Sequence, residues 1–413
     1  MIIILGAGLT GLSIAYHLRE KGIDFVIIEK EKEAGGLCRS IKSKNYIFDY
    51  TGHFLHTKSD YAKSFVEKLI PGIPEVKRKS FIYLKGNLVP YPFQANVAYL
   101  PLFDRLKSIL SYYFRKRNRP ENLAEWILTN FGRGMSELFF LPYNEKLWKY
   151  PLSKITPDFI TSYAPLVSVL KSKKDIGYNV EFLYPERGIG ELTSALSNEL
   201  EITHGEVYKI DKNFVIFDSE KIRYEYIIST IPLPELLSML YLGENIPVNM
   251  NSLVWNSVLC INFGIKGDIS LPLKGLLGFH WIYFPEKHFP FYRIGSYSNI
   301  SPLMTPEGCS SLWVEVSYRE RRPEKNIIDE IIDILSDLGL LSQNNAIDHI
   351  VPVDIPYAYP IYNKDRDKIL KNLYSFLDKY KIKPAGRFGA WKYSYMGESI
   401  LEGKRISEEL CRG

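Results

Sequence analysis

Cysteine is scarce and scattered. Only Cys38, Cys260, Cys309 and Cys411 occur among 413 residues, with no Cys-x-x-Cys pair and no metal-ligand spacing. That pattern excludes a disulfide framework and fits a reducing cytoplasm. No apolar run reaches the roughly 18–20 residues that a membrane span needs. The chain start has no basic stretch before its first apolar run and passes straight into glycines, so no signal peptide is expected. Charge of one sign is nearly absent as well. The 52 Lys+Arg against 47 Asp+Glu leave +5, which gives no reason to expect a nucleic-acid partner. Repeats and low-complexity tracts are missing. What is present is ordinary globular composition, 46% hydrophobic and 24% charged. The length allows two to three domains and a large core.

The first thirty residues read strand, turn, helix, strand. Apolar residues 2–5 precede Gly6-x-Gly8-x-x-Gly11, and a helical pattern follows through Leu12, Ile14, Ala15 and Leu18. Gly22 ends it, and the second strand, 25–28, closes on Glu29. This is a βαβ opening that implies a parallel sheet. Gly6 permits the tight turn, Gly8 lets a pyrophosphate approach the backbone, and Gly11 lets helix and strand pack closely. Glu29, 18 residues after Gly11, is placed to accept hydrogen bonds from ribose hydroxyls. Gly35, Gly36, Leu37 and Arg39 then offer backbone amides and a cation near the same pyrophosphate.

Residues 60–180 change character. Helical periodicity runs over 61–69, 102–114 and 123–131, broken by Pro90, Pro92, Pro101, Pro120, Pro142 and Pro151. Short strands return between 181 and 235, among them those of Val207 to Ile210 and residues 226–230. Long strands are expected over 250–320, a helix over 326–341 and a last helix over 397–410. Leu102, Phe103, Leu106, Ile109, Leu110 and Tyr113 share one helical face, and Arg115, Lys116, Arg117 and Arg119 end it. That face reads as core or dimer contact, with a membrane surface as the alternative.

The glycine turns together resemble the FAD-binding half of the amine-oxidase and glutathione-reductase-like flavoproteins. A more specific resemblance begins at Gly52-His53-Phe54-Leu55-His56-Thr57, which is similar to a flavin-side stretch of the UDP-galactopyranose mutases. His53 and His56 have no cysteine or carboxylate cluster beside them, so no metal is expected. The likeness continues in order through 131–148, Gly188-Ile189-Gly190, 289–294, 355–361 and 386–396. It departs at Tyr395 and Gly397, where that family carries aspartates.

The resemblance implies an α/β fold. A Rossmann-like FAD-binding domain over 1–75, 181–245 and 355–413 would carry a mostly helical insertion at 76–180, for substrate or dimer contact, and an antiparallel substrate-binding sheet at 246–354. It implies non-covalent FAD, active when reduced, held by Gly6, Gly8, Gly11, Glu29, Gly36, Leu37, Arg39, His53, Val207, Arg387 and Met396. It implies a cytoplasmic nucleotide-sugar mutase for polysaccharide biosynthesis, which exchanges pyranose and furanose rings through attack of flavin N5 on the anomeric carbon, with no net redox change. UDP-galactose, leading to galactofuranose, is the default substrate, and a GDP- or TDP-hexose is the alternative. His53, Arg293, Tyr359 and Tyr393 would be catalytic. Tyr143, Trp148, Tyr357 and Lys174 would bind substrate, Lys174 standing on a lid where that family has an arginine. NAD(P)H or another reductant would reduce the flavin, and a homodimer is allowed. The rival readings are a flavin amine oxidase or protoporphyrinogen-oxidase-like enzyme, and a non-enzymatic flavin-binding or membrane-associated scaffold. Arg293, beside aromatic residues, needs an anion. Either a carboxylate such as Glu315 or Glu286, or the substrate diphosphate, would supply it.

Overall fold

A computed structural model describes residues 1–157, 181–218, 220–269, 278–342 and 345–411. Five parallel strands form one sheet in the order Ile382–Pro384, Tyr226–Ser229, Ile2–Leu5, Phe25–Glu29, Ile202–His204. Its strands are apolar on both faces. Ile4, Ile27 and Ile228 enter one core, while Ile3, Leu5, Ile28 and Ile227 enter another. Burial on two sides requires continuous apolar strands rather than alternation, which is how the opening of the sequence reads. The helix Leu9–Arg19 follows the first glycine turn, and the C-terminal helix Met396–Leu410 packs against it, with Ser13 Oγ donating to Ile400 O at 3.1 Å.

A second sheet has seven strands, ordered Ala346–Pro360, Trp255–Lys266, Cys309–Tyr318, Arg293–Gly295, Trp281–Tyr283, Ser80–Leu84, Asn87–Pro90. It is antiparallel except where Trp281–Tyr283 pairs in parallel with Ser80–Leu84. Two features depart from the expected division of the chain. Ser80–Leu84 and Asn87–Pro90, expected in the helical insertion, extend this sheet. Ala346–Pro360 crosses the expected boundary at 355 as one 15-residue strand. Both follow from edge pairing, which local periodicity does not report. The domain limits therefore stay a proposal.

The helices Leu102–Tyr113 and Leu123–Met135 lie where helical periodicity is read, and a further helix, Leu141–Trp148, follows that the periodicity does not mark. The second breaks at Gly132, whose φ of 70° and ψ of 165° are not helical. Phe93, Trp126, Phe131, Phe139 and Trp148 fill the core beneath them. The lid position Lys174 lies outside the described residues.

Candidate functional site

A cavity of about 860 Å³ opens at the carboxyl ends of the parallel strands, where an open α/β sheet places its ligands. It lies at the upper end of the range for small-molecule and cofactor sites. Leu5, Gly6, Ile28, Glu29, Thr230 and Ile231 line it from that sheet. The seven-stranded sheet contributes Trp281, Tyr283, Tyr292, Arg293 and residues 354–359. Arg387, Tyr393 and Met396 come from the C-terminal segment.

The glycine turn is built for close approach. A Cβ on Gly11 would stand 2.0 Å from Gly6 O, so only glycine lets the helix start this near the strand. A Cβ on Gly8 would meet only Gly36 Cα, at 3.9 Å, so the space above it is cavity. The two turns abut, with Gly8 bridged to Gly35 and Gly35 N–H donating to Ala7 O at 2.7 Å. Glu29 is buried. Its carboxylate accepts from Ala7 N–H at 2.7 Å and Glu31 N–H at 2.9 Å, and so braces the turn while lining the cavity. Arg39 donates to Gly36 O and Glu33 O, both at 3.0 Å, and covers the Tyr50 ring. These groups fit a dinucleotide pyrophosphate at a helix N-terminus. Leu37, Val207 and Met396 line the same cavity.

Further in, Arg387 donates to Ser394 O at 2.8 Å and Ala358 O at 3.1 Å. Its guanidinium carbon lies 4.9 Å from the Tyr359 ring centre and 4.6 Å from that of Tyr393. The two rings are nearly parallel, 6.2 Å apart. Among the described residues no carboxylate pairs with Arg387, so its charge is offset only by carbonyl and ring dipoles. Burial pushes the Tyr359 hydroxyl up to about 12, which keeps it a neutral donor. His53 exchanges a 3.1 Å hydrogen bond with Thr51 Oγ1. Burial, with the nearby Arg387 and Arg293 charges, pushes His53 down to about 3, so it is a neutral imidazole. Trp281 Nε1, on the cavity wall, is buried with no partner among the described residues, an orphaned donor that a ligand acceptor would satisfy.

Arg293 sits directly across the sheet from Glu315. Its Nε and Nη2 donate to Glu315 Oε1 at 2.9 and 2.6 Å, and Nη2 also reaches Oε2 at 2.9 Å. Trp313 Nε1 donates to the same carboxylate at 2.8 Å, and the Tyr292 hydroxyl joins them. Glu315 has no solvent exposure. The carboxylate partner foreseen as one alternative for Arg293 is therefore present, and only Nη1 is left without a hydrogen bond among the described residues. Tyr292 precedes the strand proper, so simple alternation does not separate it from Arg293.

Tyr357 lines the cavity; Tyr143 and Trp148 do not. Trp148 backs Tyr359 with ring centres 5.8 Å apart, and its Nε1 donates to Asn144 Oδ1 at 3.0 Å. Tyr143 stands behind Tyr283 and Tyr292 at 5.3 and 6.2 Å. Both belong to Leu141–Trp148, a helix that packs under the tyrosine layer rather than into the opening. Sequence reasoning missed Trp281 and Tyr283. It left Glu315 and Glu286 open as carboxylate partners of Arg293, and strand register, which sets Glu315 directly opposite, decides between them.

A family profile described as an NAD(P)-binding Rossmann-like domain matches residues 4–69. A probable UDP-galactopyranose mutase of Klebsiella pneumoniae is 22% identical over 99% of this chain and 94% of that protein. The dTDP-fucopyranose mutase of Escherichia coli is 31% identical over 36% of this chain and 41% of that protein. Another curated relative is matched over only 22% of its length. A solved structure of a reduced UDP-galactopyranose mutase superposes with a TM-score of 0.92 and 28% identity, over 100% of this chain and 95% of that one. Over its full length the chain is similar to UDP-galactopyranose mutases, and it shares the fold of the solved one, with a Rossmann-like domain at its start.

Proposed function

We propose that this protein is a flavin-dependent nucleotide-sugar mutase that exchanges pyranose and furanose rings, with UDP-galactose as its default substrate. The observation that carries the reading is Arg387, a guanidinium without a carboxylate partner among the described residues, held between Tyr359 and Tyr393 in the same cavity as the glycine turns. A diphosphate answers that charge and takes the planar fork bidentately. Neither an amine nor a porphyrinogen carries a diphosphate to fill that fork. The likeness to dTDP-fucopyranose mutase keeps a dTDP sugar as the alternative substrate.

In this reading Gly6, Gly8, Gly11, Glu29, Gly36, Leu37, Arg39, Val207 and Met396 hold FAD. When bound and reduced, the flavin supplies a nucleophilic nitrogen and ends the cycle in its starting state. The protein positions and stabilises charge. Because Glu315 occupies Arg293, the diphosphate role expected of Arg293 passes in this reading to Arg387, expected from the resemblance beside the flavin. Arg387, with the Tyr359 and Tyr393 hydroxyls, binds the diphosphate as charge builds on it, and Arg293 Nη1 adds one more donor. Neutral His53 beside the cofactor presents an uncharged imidazole, which leaves the site's positive charge to the arginines. Lys174 and Tyr357 complete substrate binding, while Tyr143 and Trp148 stiffen the tyrosine layer from behind. Cytoplasmic location, NAD(P)H as reductant and a homodimer belong to the same proposal.

The test is chromatography of UDP-galactopyranose and dTDP-fucopyranose incubated with the yellow holoprotein, oxidised or reduced with dithionite. Ring exchange only in the reduced sample is the expected result. Equal turnover by oxidised protein, or hydrogen peroxide released from an amine, would overturn the reading.

A further inference from the structure

The helix Leu102–Tyr113 is turned inside out. At about 100° per residue, Leu102, Phe103, Leu106, Leu110 and Tyr113 fall within roughly 100° of arc. They are 62%, 76%, 49%, 55% and 58% exposed, and Phe114, just beyond, is 83% exposed. The opposite side carries Asp104, Ser108 and Ser111, and that polar side faces the protein. Asp104 and Ser108 are buried. A Cβ on Gly132 would stand 2.4 Å from Ser111 O, and one on Gly134 2.7 Å from Ser108 Cα, so Leu123–Met135 packs tightly onto the small residues. A surface helix ordinarily does the reverse. Of the face named from the sequence, Ile109 alone packs against the core; the other five residues stand exposed among the described residues.

Cations gather at the end of that stripe. Lys116, Arg117 and Arg119 are exposed, and neither they nor Arg105 forms an ion pair among the described residues. Arg115 is spent locally, donating to Thr129 O at 3.0 Å and to Tyr112 O. Residues 115–119 contain no acid. We propose that this face docks the protein on an anionic lipid surface, with the apolar stripe lying in the headgroup boundary and the basic segment over the headgroups. Such a surface answers both halves of the patch. A second copy of the chain answers only the apolar half, since it brings the same basic segment and the same net charge of +5. None of these residues lines the cavity, so docking leaves the site open.

The test is sedimentation of holoprotein with vesicles of phosphatidylcholine alone and of phosphatidylcholine with 30% phosphatidylglycerol (roughly a physiological anionic surface). Binding to the anionic vesicles only, weakened by salt, is expected. Phe103→Glu with Leu110→Glu should abolish it. Reversal of Lys116, Arg117 and Arg119 to Glu should weaken it on the order of a hundredfold or more. Both variants should keep flavin content and turnover of soluble substrate, because the changed side chains are solvent-exposed. No sedimentation of wild-type protein with anionic vesicles would overturn the proposal. So would an ultracentrifuge profile in which Phe103→Glu/Leu110→Glu splits a dimer while vesicle binding persists, which would make the face an interface between copies.

Discussion

Two arginines of one cavity are held by opposite means, and their substitutions should separate accordingly. Arg293 is paired with a carboxylate that has no exposure and two other donors, the Tyr292 hydroxyl and Trp313 Nε1. Arg293→Ala leaves that charge buried and unmatched, so chemical denaturation should show a loss of about 3–5 kcal/mol. Arg293→Lys should recover part of it, since a lysine restores charge without the fork. Arg387 contacts carbonyl oxygens and rings instead. Arg387→Ala should unfold at nearly the wild-type denaturant concentration, yet lose about 2–4 kcal/mol of transition-state stabilisation, read as kcat/KM on the nucleotide sugar. If Arg387→Ala kept full activity, the diphosphate would lie elsewhere. If Arg293→Ala were as stable as wild type, the pair with Glu315 would contribute nothing to the fold.

Two short elements carry the most specific geometry. The turn from Ile2–Leu5 into Leu9–Arg19 leaves open space over Gly8 and none over Gly11. Gly8→Val should fold, because protein atoms do not crowd that Cβ, and yet purify without flavin absorbance near the visible maximum of wild type. Colourless wild-type protein that FAD cannot reconstitute would remove the cofactor assignment altogether. The strand Arg293–Gly295 shows the converse. A Cβ on Gly295 would lie 2.0 Å from the Trp313 ring, which is stacked on Tyr297 with centres 4.4 Å apart. Gly295→Ala should therefore cost about 1–3 kcal/mol as an overpacked core site. It should also disturb Glu315 through Trp313 Nε1, so thermal melts should fall and activity with them.

For the whole molecule, acid should be the vulnerable side. Burial pushes His53 down to about 3 and His280 to about 4. The unfolded chain protonates both near 6.5, so stability falls as pH drops below that value. At pH 5 each contributes a loss of about 2 kcal/mol. Asp49 works the other way. It is buried beside Ser40, Tyr184 and the Ile189 amide without a cation, and desolvation pushes it up to about 6. Its ionisation is a cost that disappears as pH falls through 6, a gain of about 1 kcal/mol by pH 5. The histidines win, so denaturation midpoints should decline from pH 7 to pH 5. A protein equally stable at both values would show that these imidazoles do not remain neutral in the fold.

The glycine turn, Glu29 and the first βαβ unit were legible because each is local: strand, turn and helix lie within thirty residues and obey fixed spacing. The helix Leu102–Tyr113 was equally legible as an element, since a period of 3.6 depends on neighbours in the chain. Its direction was not. Whether an apolar stripe faces core or solvent depends on which side Gly132 and Gly134 allow a second helix to approach. Arg293 shows the same division. A buried guanidinium implies an anion, and the run around it names the need. Its partner is decided by strand register, which sets Glu315, 22 positions along the chain, directly opposite. Trp148 and Tyr143 are expected at the substrate through the resemblance of their segment, while helix orientation sets them one layer behind the cavity wall. Local chemistry is thus determined by the sequence itself, whereas the choice of partner and face belongs to long-range packing, because pairing energies between distant segments leave no periodic mark along the chain.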